Sequence, residues 1–338
     1  MKAIQIIGQR KTQLIEIPKP ELKPGHVLLK IGFVGFCGSD LNTFRGLNPL
    51  VKLPIIPGHE IGAVIEAVAD DVPSGLQPGM HATVNPYTSC GHCPSCRKGR
   101  FNACEFNQTL GVQRDGAMSE YILVPWQKVI ADEGISLRDL ALVEPMSVGF
   151  HAVSRAELTD IDTVLVLGCG MIGVGAIIRA SLRGAVVIAV DVDDKKLELA
   201  KRLGAQYTIN STKEDLHERI REITREEGAD VVIEAVGRPE TYTASISEVA
   251  FAGRVVYIGY AKEKILFDTS HFVKKELGIR GSRNATPTDF KAVMEYLKCG
   301  TCPVDELITA IYAPEEAQTA LEKWSANPGE VFRILIRF

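Results

Sequence analysis

Three glycines between two apolar runs constrain this chain most strongly. Thr163–Leu167 is rich in β-branched residues, which predicts a buried parallel strand. Gly168, Gly170 and Gly173 follow, and then a small, apolar segment typical of a helix. A second apolar run ends at Asp191. This order predicts a βαβ unit that binds a dinucleotide, and a glycine-rich turn of another α/β protein is the alternative.

Each feature of this fingerprint has a physical role. Gly168 permits a tight turn, Gly170 lets a pyrophosphate approach the backbone, and Gly173 lets the helix pack closely. The helix N-terminus offers free N–H groups to the phosphates. The Asp191 carboxylate suits ribose hydroxyls and would repel a 2′-phosphate, which predicts NAD rather than NADP. The candidate cofactor-binding residues are Gly168, Gly170, Met171, Ile172, Gly173, Asp191, Lys196, Val236, Gly237, Ile258 and Gly259.

Length and composition narrow the class of protein. A chain of 338 residues exceeds the usual size of a single core, so we expect two domains. The net charge of -4 argues against a nucleic-acid partner. We expect a cytoplasmic protein without a membrane partner, since no apolar run approaches about 20 residues and no signal-peptide pattern is seen. The eight cysteines are therefore interpreted as metal ligands or free thiols.

Four of these cysteines form one compact pattern. Cys90, Cys93, Cys96 and Cys104 have the spacing C-x2-C-x2-C-x7-C. Four thiolates predict a closed tetrahedral zinc site that folds its lobe and does no chemistry. A [4Fe–4S] cluster is the less favoured alternative, and disulfides are less favoured still.

A second group of metal-binding side chains is dispersed in sequence. Residues 1–84 show strand-like runs cut by Pro and Gly, which predicts all-β structure. Cys37, His59 and Glu60 stand in turns after such runs, and all three side chains are good zinc ligands. Taken alone, a buried cysteine and a satisfied histidine are the default interpretation. Glu144 stands between apolar residues before a helix-like stretch and needs a partner, which is a backbone N–H, an arginine or this metal.

The second half alternates strand-like and helix-like segments, which predicts an open parallel sheet. Residues 276–282 are predicted as its edge strand, which would bring Arg283 and Asn284 to the substrate. Arg283 can bind a carboxylate in bidentate fashion, although an ordinary surface arginine is an equal alternative. Arg45 and Arg114 are weaker candidates of the same kind.

Together these motifs resemble a known family. C-G-S-D, G-H-E, the four-cysteine lobe, L-V-E-P-M-S-V-G, the glycine fingerprint and E-A-V-G occur in the order found in zinc-dependent medium-chain dehydrogenases. The branch resembles sorbitol dehydrogenase and its bacterial polyol and sugar-acid relatives. Residues 281–286 (G-S-R-N-A-T) resemble a segment of bacterial L-galactonate and L-gulonate 5-dehydrogenases.

The resemblance implies a fold and a division of the chain. The fold is α/β, with a GroES-like β-rich catalytic domain and a Rossmann domain built on a doubly wound parallel sheet. The catalytic, zinc-binding domain would comprise residues 1–145 and 284–338. The NAD-binding domain would comprise residues 146–283.

The resemblance also implies a catalytic site. The residues implied to bind the catalytic zinc are Cys37, His59, Glu60 and Glu144, the last either directly or through water. Ser39 matches the hydroxyl that takes the substrate proton, with Asp40 supporting the site. Many relatives pass the proton onward through a histidine three residues later, where this chain has Asn42. Asn cannot take up a proton at neutral pH, so the outer relay must differ.

The predicted function follows from zinc and NAD. We expect an oxidoreductase with two zinc ions per chain that transfers a hydride between NAD and a secondary alcohol of a polyol or sugar acid, of the hexonate 5-dehydrogenase type. Arg283, Asn284 and Glu144 are its candidate substrate residues. A threonine or 2,3-butanediol dehydrogenase is the alternative, and a non-enzymatic NAD-binding protein is disfavoured because the zinc ligands are all present. The resemblance further implies a homodimer or homotetramer.

Overall fold

A computed structural model describes residues 1–73 and 75–338. The strands are β1 (Lys2–Gly8), β2 (Lys11–Glu16), β3 (His26–Phe36), β4 (Glu60–Val68), β5 (His81–Val84), β6 (Tyr121–Pro125), β7 (Val129–Ala131), β8 (Thr163–Leu167), β9 (Val186–Asp191), β10 (Tyr207–Asn210), β11 (Ala229–Glu234), β12 (Val249–Tyr257), β13 (Gly278–Gly281), β14 (Ala310–Tyr312) and β15 (Ile334–Arg337). The α-helices are α1 (Gly38–Phe44), α2 (Pro94–Arg97), α3 (Leu137–Leu140), α4 (Val143–Arg155), α5 (Met171–Leu182), α6 (Asp194–Arg202), α7 (Leu216–Ile223), α8 (Pro239–Glu248), α9 (Ser270–Lys274), α10 (Pro287–Lys298), α11 (Val304–Leu307) and α12 (Ala317–Ala326). Within the described ranges, no helix is both long and apolar enough to cross a membrane.

The chain divides into two compact units. Unit 1 comprises Met1–Pro145 and Thr286–Phe338, and unit 2 comprises Met146–Ala285. The sequence-based division returned to the first domain at residue 284, and unit 1 resumes here at residue 286. Each unit has its own sheet and its own apolar core.

Unit 2 is built on a six-stranded parallel sheet with the order β10-β9-β8-β11-β12-β13. In order along the chain this is 3-2-1-4-5-6, the arrangement of dinucleotide-binding sheets. Val164 to Val166 in β8 are fully buried, which explains why that strand is a continuous apolar run rather than an alternating one. The predicted Rossmann domain is confirmed, and β13 forms an edge of its sheet, as predicted for residues 276–282.

Unit 1 is built on a mainly antiparallel sheet with the order β14-β15-β3-β4-β5-β7, and β6 also pairs with β3. In the β3–β4 pair, Gly35 lies opposite Glu60. A Cβ atom on Gly35 would lie 2.2 Å from Glu60 Oε2, so glycine leaves the room that the buried carboxylate occupies. This β-rich unit agrees with the predicted catalytic domain, and its central strands carry predicted metal ligands.

The prediction that residues 1–84 are all-β is wrong at one segment. Residues 38–44 form α1, so Ser39 and Asp40 lie in a helix rather than in a turn. Asp40 explains the helix, because its Oδ2 accepts a 2.8 Å hydrogen bond from the Cys37 backbone N–H and closes the first turn. Glu144 likewise lies inside the first turn of α4, not before the helix.

Two glycines of the fingerprint offer a matched test of the packing in unit 2. A Cβ on Gly173 would lie 1.8 Å from the carbonyl oxygen of Gly168, whereas a Cβ on Gly170 meets no heavy atom within 4 Å. Gly173→Ala should therefore lower the free energy of unfolding by about 1–3 kcal/mol. Gly170→Ala should change the free energy of unfolding by no more than about 0.5 kcal/mol. Chemical denaturation of both variants measures the difference, and equal stabilities would contradict this packing.

Candidate metal and cofactor sites

Three predicted zinc ligands come together in unit 1. Cys37 precedes α1 as its N-cap, Glu60 is the first residue of β4, and His59 directly precedes that strand. One donor atom from each side chain lies within 4.8 Å of the donors of the other two. His59 is 5% exposed and Glu60 is fully buried. Strand β4 and the end of β3 therefore place a thiol, an imidazole and a carboxylate around one point.

The electrostatics of this cluster suit a cation. Burial, opposed by the charge of Arg333 and aided by that of Glu144, raises the pKa of Glu60 to about 7. Burial disfavours the charged form of His59, yet Cys37 and the nearby carboxylates hold its pKa well above the ordinary value. His59 Nδ1 and both Glu60 carboxylate oxygens are buried without a hydrogen-bond partner among the described residues, and Glu60 Oε2 has only an ion-pair contact with Arg333 Nε at 3.2 Å. Buried polar atoms of this kind are costly unless they bind a ligand, and the donor set is one that zinc accepts.

Glu144 is held beside this cluster by a residue that sequence analysis missed. The three-member group of donor atoms does not include Glu144. The buried Tyr87 hydroxyl donates a short hydrogen bond to Glu144 Oε1. Burial raises the pKa of Tyr87 well above its ordinary value, so the phenol stays a donor. The Tyr87 ring packs edge-to-face on Phe290, with centroids 6.5 Å apart. Tyr87 follows β5 by three residues, and its sequence context carries no motif that identifies this role.

Ser39 and Asp40 lie next to the cluster in α1. Ser39 Oγ is buried and has no hydrogen-bond partner in the described part of the chain. Its backbone carbonyl accepts a 2.9 Å hydrogen bond from Thr43 Oγ1, which fixes this turn of the helix. Burial raises the pKa of Asp40, although His59 and the Cys37 amide favour its charged form. The serine hydroxyl is thus available to another group at the cluster.

The second predicted metal group is also assembled. One sulfur from each of Cys90, Cys93, Cys96 and Cys104 lies within 4.8 Å of the others. The Cys90–Cys96 and Cys93–Cys104 sulfur pairs are 4.0 and 3.9 Å apart, too far for disulfides. A zinc tetrahedron with bonds of about 2.3 Å would separate its sulfurs by about 3.8 Å, so the group fits zinc.

Polar neighbours favour thiolates in this lobe. The backbone N–H groups of Cys90 and Cys93 each point to a sulfur of the group at 3.3 Å. Hydrogen bonds, the largest contribution coming from Ser95, lower the pKa of Cys93 to about 5, whereas burial raises the pKa of Cys96 to about 11. His92 is exposed and its Nδ1 lies 2.9 Å from the carbonyl oxygen of Cys90. It stands outside the sulfur group, whose four members already suffice for a tetrahedral zinc site.

The glycine fingerprint of unit 2 forms a turn into α5. Gly168 has φ +97°, a value that favours glycine, and its N–H donates to the Val190 carbonyl at 2.8 Å. Gly170 caps the helix and the space beside its Cα is open. Met171 and Ile172 begin α5, so their backbone N–H groups lie at the helix N-terminus. This geometry suits a bound pyrophosphate.

Asp191 ends β9 beside that turn. Its Oδ2 accepts from the Cys169 N–H at 2.7 Å, and its Oδ1 accepts from the Val192 N–H at 2.8 Å. These bonds fix the carboxylate, and Lys196 lies partly buried in α6 nearby in sequence.

The remaining cofactor candidates surround Glu234 at the end of β11. Glu234 Oε1 accepts hydrogen bonds from the N–H groups of Val236 and Gly237 at 2.9 and 2.7 Å. A Cβ on Gly259 would lie 2.3 Å from the Gly237 N atom, so the two glycine turns are in close contact. Ile258 precedes Gly259 and is buried. Glu234 therefore organises both turns, a role that its place in E-A-V-G did not reveal.

The substrate candidates Arg283 and Asn284 follow β13 in unit 2. Arg283 is exposed, and Asn284 adopts the left-handed conformation with φ +56°. Their substrate role stays a prediction.

The sulfur group generates a stoichiometry prediction. Wild-type protein should bind two zinc ions per chain, and Cys104→Ser should bind one. Loss of the lobe metal should lower the melting temperature by at least about 5 °C, because structural zinc contributes folding free energy. Elemental analysis and calorimetry measure both effects. Cys302→Ser, outside both donor groups, is the control, and a second zinc retained by Cys104→Ser would refute the assignment.

Comparison with known proteins connects these sites to a family. Residues 23–133 match the family model "Alcohol dehydrogenase GroES-like domain", and residues 172–298 match "Zinc-binding dehydrogenase". The chain is 33% identical to L-galactonate-5-dehydrogenase of Escherichia coli K12, over 98% of each chain. It is 32% identical to sorbitol dehydrogenase of Bacillus subtilis, over 99% of this chain and 97% of that protein.

A solved structure gives the same result. An alcohol dehydrogenase of Escherichia coli CFT073 complexed with NADH superposes with a TM-score of 0.92 and 30% identity, over 100% of this chain and 99% of that one. The predicted family, the α/β fold with GroES-like and Rossmann parts, and the use of zinc with a nicotinamide cofactor are thereby confirmed. The chain belongs to the zinc-dependent, NAD-linked alcohol and polyol dehydrogenases.

Proposed function

We propose that this enzyme uses NAD to oxidise a secondary alcohol of a polyol or sugar acid, and that a hexonate is its substrate. The observation that carries the proposal is the buried group of Cys37, His59 and Glu60, whose donor atoms lie within 4.8 Å of one another. Three protein ligands leave a position open for substrate, as catalytic zinc sites require. The similarity to L-galactonate-5-dehydrogenase supports the sugar-acid class.

The residue roles follow from the geometry around this group. Bound zinc would supply Lewis acidity at the substrate oxygen, and bound NAD would accept the hydride. Cys37, His59 and Glu60 would hold the metal, while Tyr87 orients Glu144 to bind it directly or through water. Cys90, Cys93, Cys96 and Cys104 would hold the second, structural zinc.

Ser39 is the proposed first proton carrier. Its Oγ is buried without a hydrogen-bond partner among the described residues, so it can accept the proton of the substrate hydroxyl and release its own. Asn42 has no basic atom for the next step. The proton would therefore leave through water or another group.

Cys37→Ser tests the proposed metal centre. We expect turnover to fall at least roughly 1000-fold, because the Lewis acid is lost. NAD affinity should stay within about twofold, since the cofactor residues lie in unit 2 and are unchanged. NADH formation on polyols, hexonates, threonine and 2,3-butanediol, with calorimetry of NAD binding, gives both values.

Cys299→Ser is the matched control, because Cys299 is an exposed thiol outside both donor groups. Loss of NAD binding together with activity in Cys37→Ser would indicate a folding role for Cys37. Wild-type oxidation of 2,3-butanediol or threonine in preference to polyols and hexonates would overturn the proposed substrate class.

Asp191 generates a prediction of cofactor choice. Its fixed carboxylate should repel a 2′-phosphate, so kcat/KM for NAD should exceed that for NADP at least about 100-fold. Asp191→Ser should lower this ratio at least about tenfold, mainly by weakening the binding of NAD. Cofactor titrations with each variant measure the ratio. A wild-type preference for NADP would exclude this role of Asp191.

A further inference from the structure

We propose that Arg114 and Lys128 bind the anionic end of the substrate, a carboxylate or a phosphate group. The inference rests on the proposed function and adds the residues that recognise the substrate's charge. Both side chains belong to unit 1, which also contains the cluster of Cys37, His59 and Glu60. Both are partly buried, so each can contact both a small ligand and the protein.

The loop that carries Arg114 is packed against the segment leading to His59. The Gly111 N–H donates to the Arg114 carbonyl at 2.8 Å and closes the loop. A Cβ on Gly111 would lie 2.4 Å from Gly58 N, and a Cβ on Gly116 would lie 2.3 Å from Gly58 O. Gly58 directly precedes His59 in the chain. These contacts hold the Arg114 backbone close to the proposed metal centre.

Lys128 is connected to the same region through Tyr87. Its Nζ donates a 2.5 Å hydrogen bond to the Tyr87 carbonyl oxygen. The hydroxyl of Tyr87 donates in turn to Glu144. One residue therefore connects the lysine to the carboxylate beside the zinc ligands.

The two cations are not balanced by an anion. Among the described residues, neither side chain forms an ion pair, and Arg114 Nε is buried without a hydrogen-bond partner. Burial lowers the pKa of Arg114. The segments of the two residues are held to the same stretch of chain, since the Leu110 N–H donates to the Pro86 carbonyl at 3.1 Å and the Asn85 N–H donates to the Lys128 carbonyl at 2.8 Å. Burial also lowers the pKa of Lys128, and the charge of Arg114 lowers it further. Partly buried like charges are unfavourable together, and an anion between them would offset both costs.

Two other arginines of unit 1, Arg45 and Arg333, are already engaged by the protein. Arg45 donates from Nε and Nη2 to Ser325 at 3.0 and 2.6 Å. Arg333 pairs with the buried Glu60. Arg114 thus differs from these two in having its guanidinium uncommitted within the described structure. A guanidinium fork and an ammonium group together suit the oxygens of a carboxylate or a phosphate.

Arg114→Gln in the zinc-loaded full chain tests the subsite. Substrates are compared in three arms: a neutral hexitol, a hexonate and a hexitol phosphate. We expect kcat/KM for the favoured anionic substrate to fall roughly 10- to 100-fold, as for loss of a charge-assisted hydrogen bond, with the neutral hexitol within about twofold. Arg114→Lys should restore part of the loss. Of the hexonate and the hexitol phosphate, the substrate with the higher kcat/KM in the wild type identifies carboxylate or phosphate as the group that is bound.

Two matched variants complete the design. Arg337→Gln removes an exposed arginine at the end of β15 and should leave kcat/KM for all three substrates unchanged. Arg283→Gln tests the arginine singled out from the sequence. An equal loss on neutral and anionic substrates in Arg114→Gln would show a structural role and overturn the proposal. A charge-selective loss confined to Arg283→Gln would overturn it as well.

A binding measurement separates this inference from the proposed function. Calorimetric titration of the zinc-loaded protein with gluconate and with inorganic phosphate should show binding that weakens at least roughly tenfold in Arg114→Gln. Arg114-dependent binding without oxidation of any arm would support the subsite and refute the dehydrogenase substrate class. Oxidation of neutral hexitols alone, with anion binding unaffected by Arg114→Gln, would refute the subsite and support a dehydrogenase of neutral polyols.

Discussion

Unit 1 depends on a buried ion pair between the start of β4 and the residue before β15. Arg333 Nε lies 3.2 Å from Glu60 Oε2, and the two side chains are 5% and 0% exposed. Arg333 Nη1 also donates to the Phe36 carbonyl at 2.7 Å. Losing one partner of such a pair commonly costs about 3–5 kcal/mol, because the remaining charge is left uncompensated. The proposed zinc ligand Glu60 is thus paired with a residue of the segment that returns to the first unit after the second is complete.

The same ion pair shows why part of the site escapes sequence analysis. Arg333 lies just before β15, a short apolar strand, and nothing in that local pattern distinguishes it from a surface arginine. Tyr87 likewise has no sequence motif that indicates its role. Both acquire their roles through strand pairing and helix packing that bring distant segments together. Helix α1 was missed for a related reason, since seven residues among strands give little periodicity and its cap is formed by a Cys37–Asp40 contact.

Other features were predictable because their physics is local. The strand, the three glycines and Asp191 lie within one βαβ unit, and the short spacing of Cys90, Cys93 and Cys96 brings most of a sulfur tetrahedron together along the chain. The grouping of Cys37 with His59 and Glu60 needed the resemblance as well, because helix α1 and the loop after it separate the thiol from its partners in sequence. The three side chains meet only in the folded unit, where their donor atoms lie within 4.8 Å of one another. Pattern alone left these residues as a buried cysteine and a satisfied histidine.

Charge is distributed unevenly within unit 1. Acidic groups are in excess at the proposed metal centre, and basic groups are in excess at the proposed anion subsite. Around Glu60 the thiol and carboxyl groups outnumber the cations, which burial makes unfavourable until a metal ion binds. Around Arg114 and Lys128 the excess is positive and no carboxylate pairs with it among the described residues. Tyr87 contacts both regions, through its hydroxyl and its carbonyl. A polyol with an acidic end group has a neutral oxygen for a metal and an anion for the basic pair, so the two imbalances together support the proposal of such a substrate over a simple alcohol.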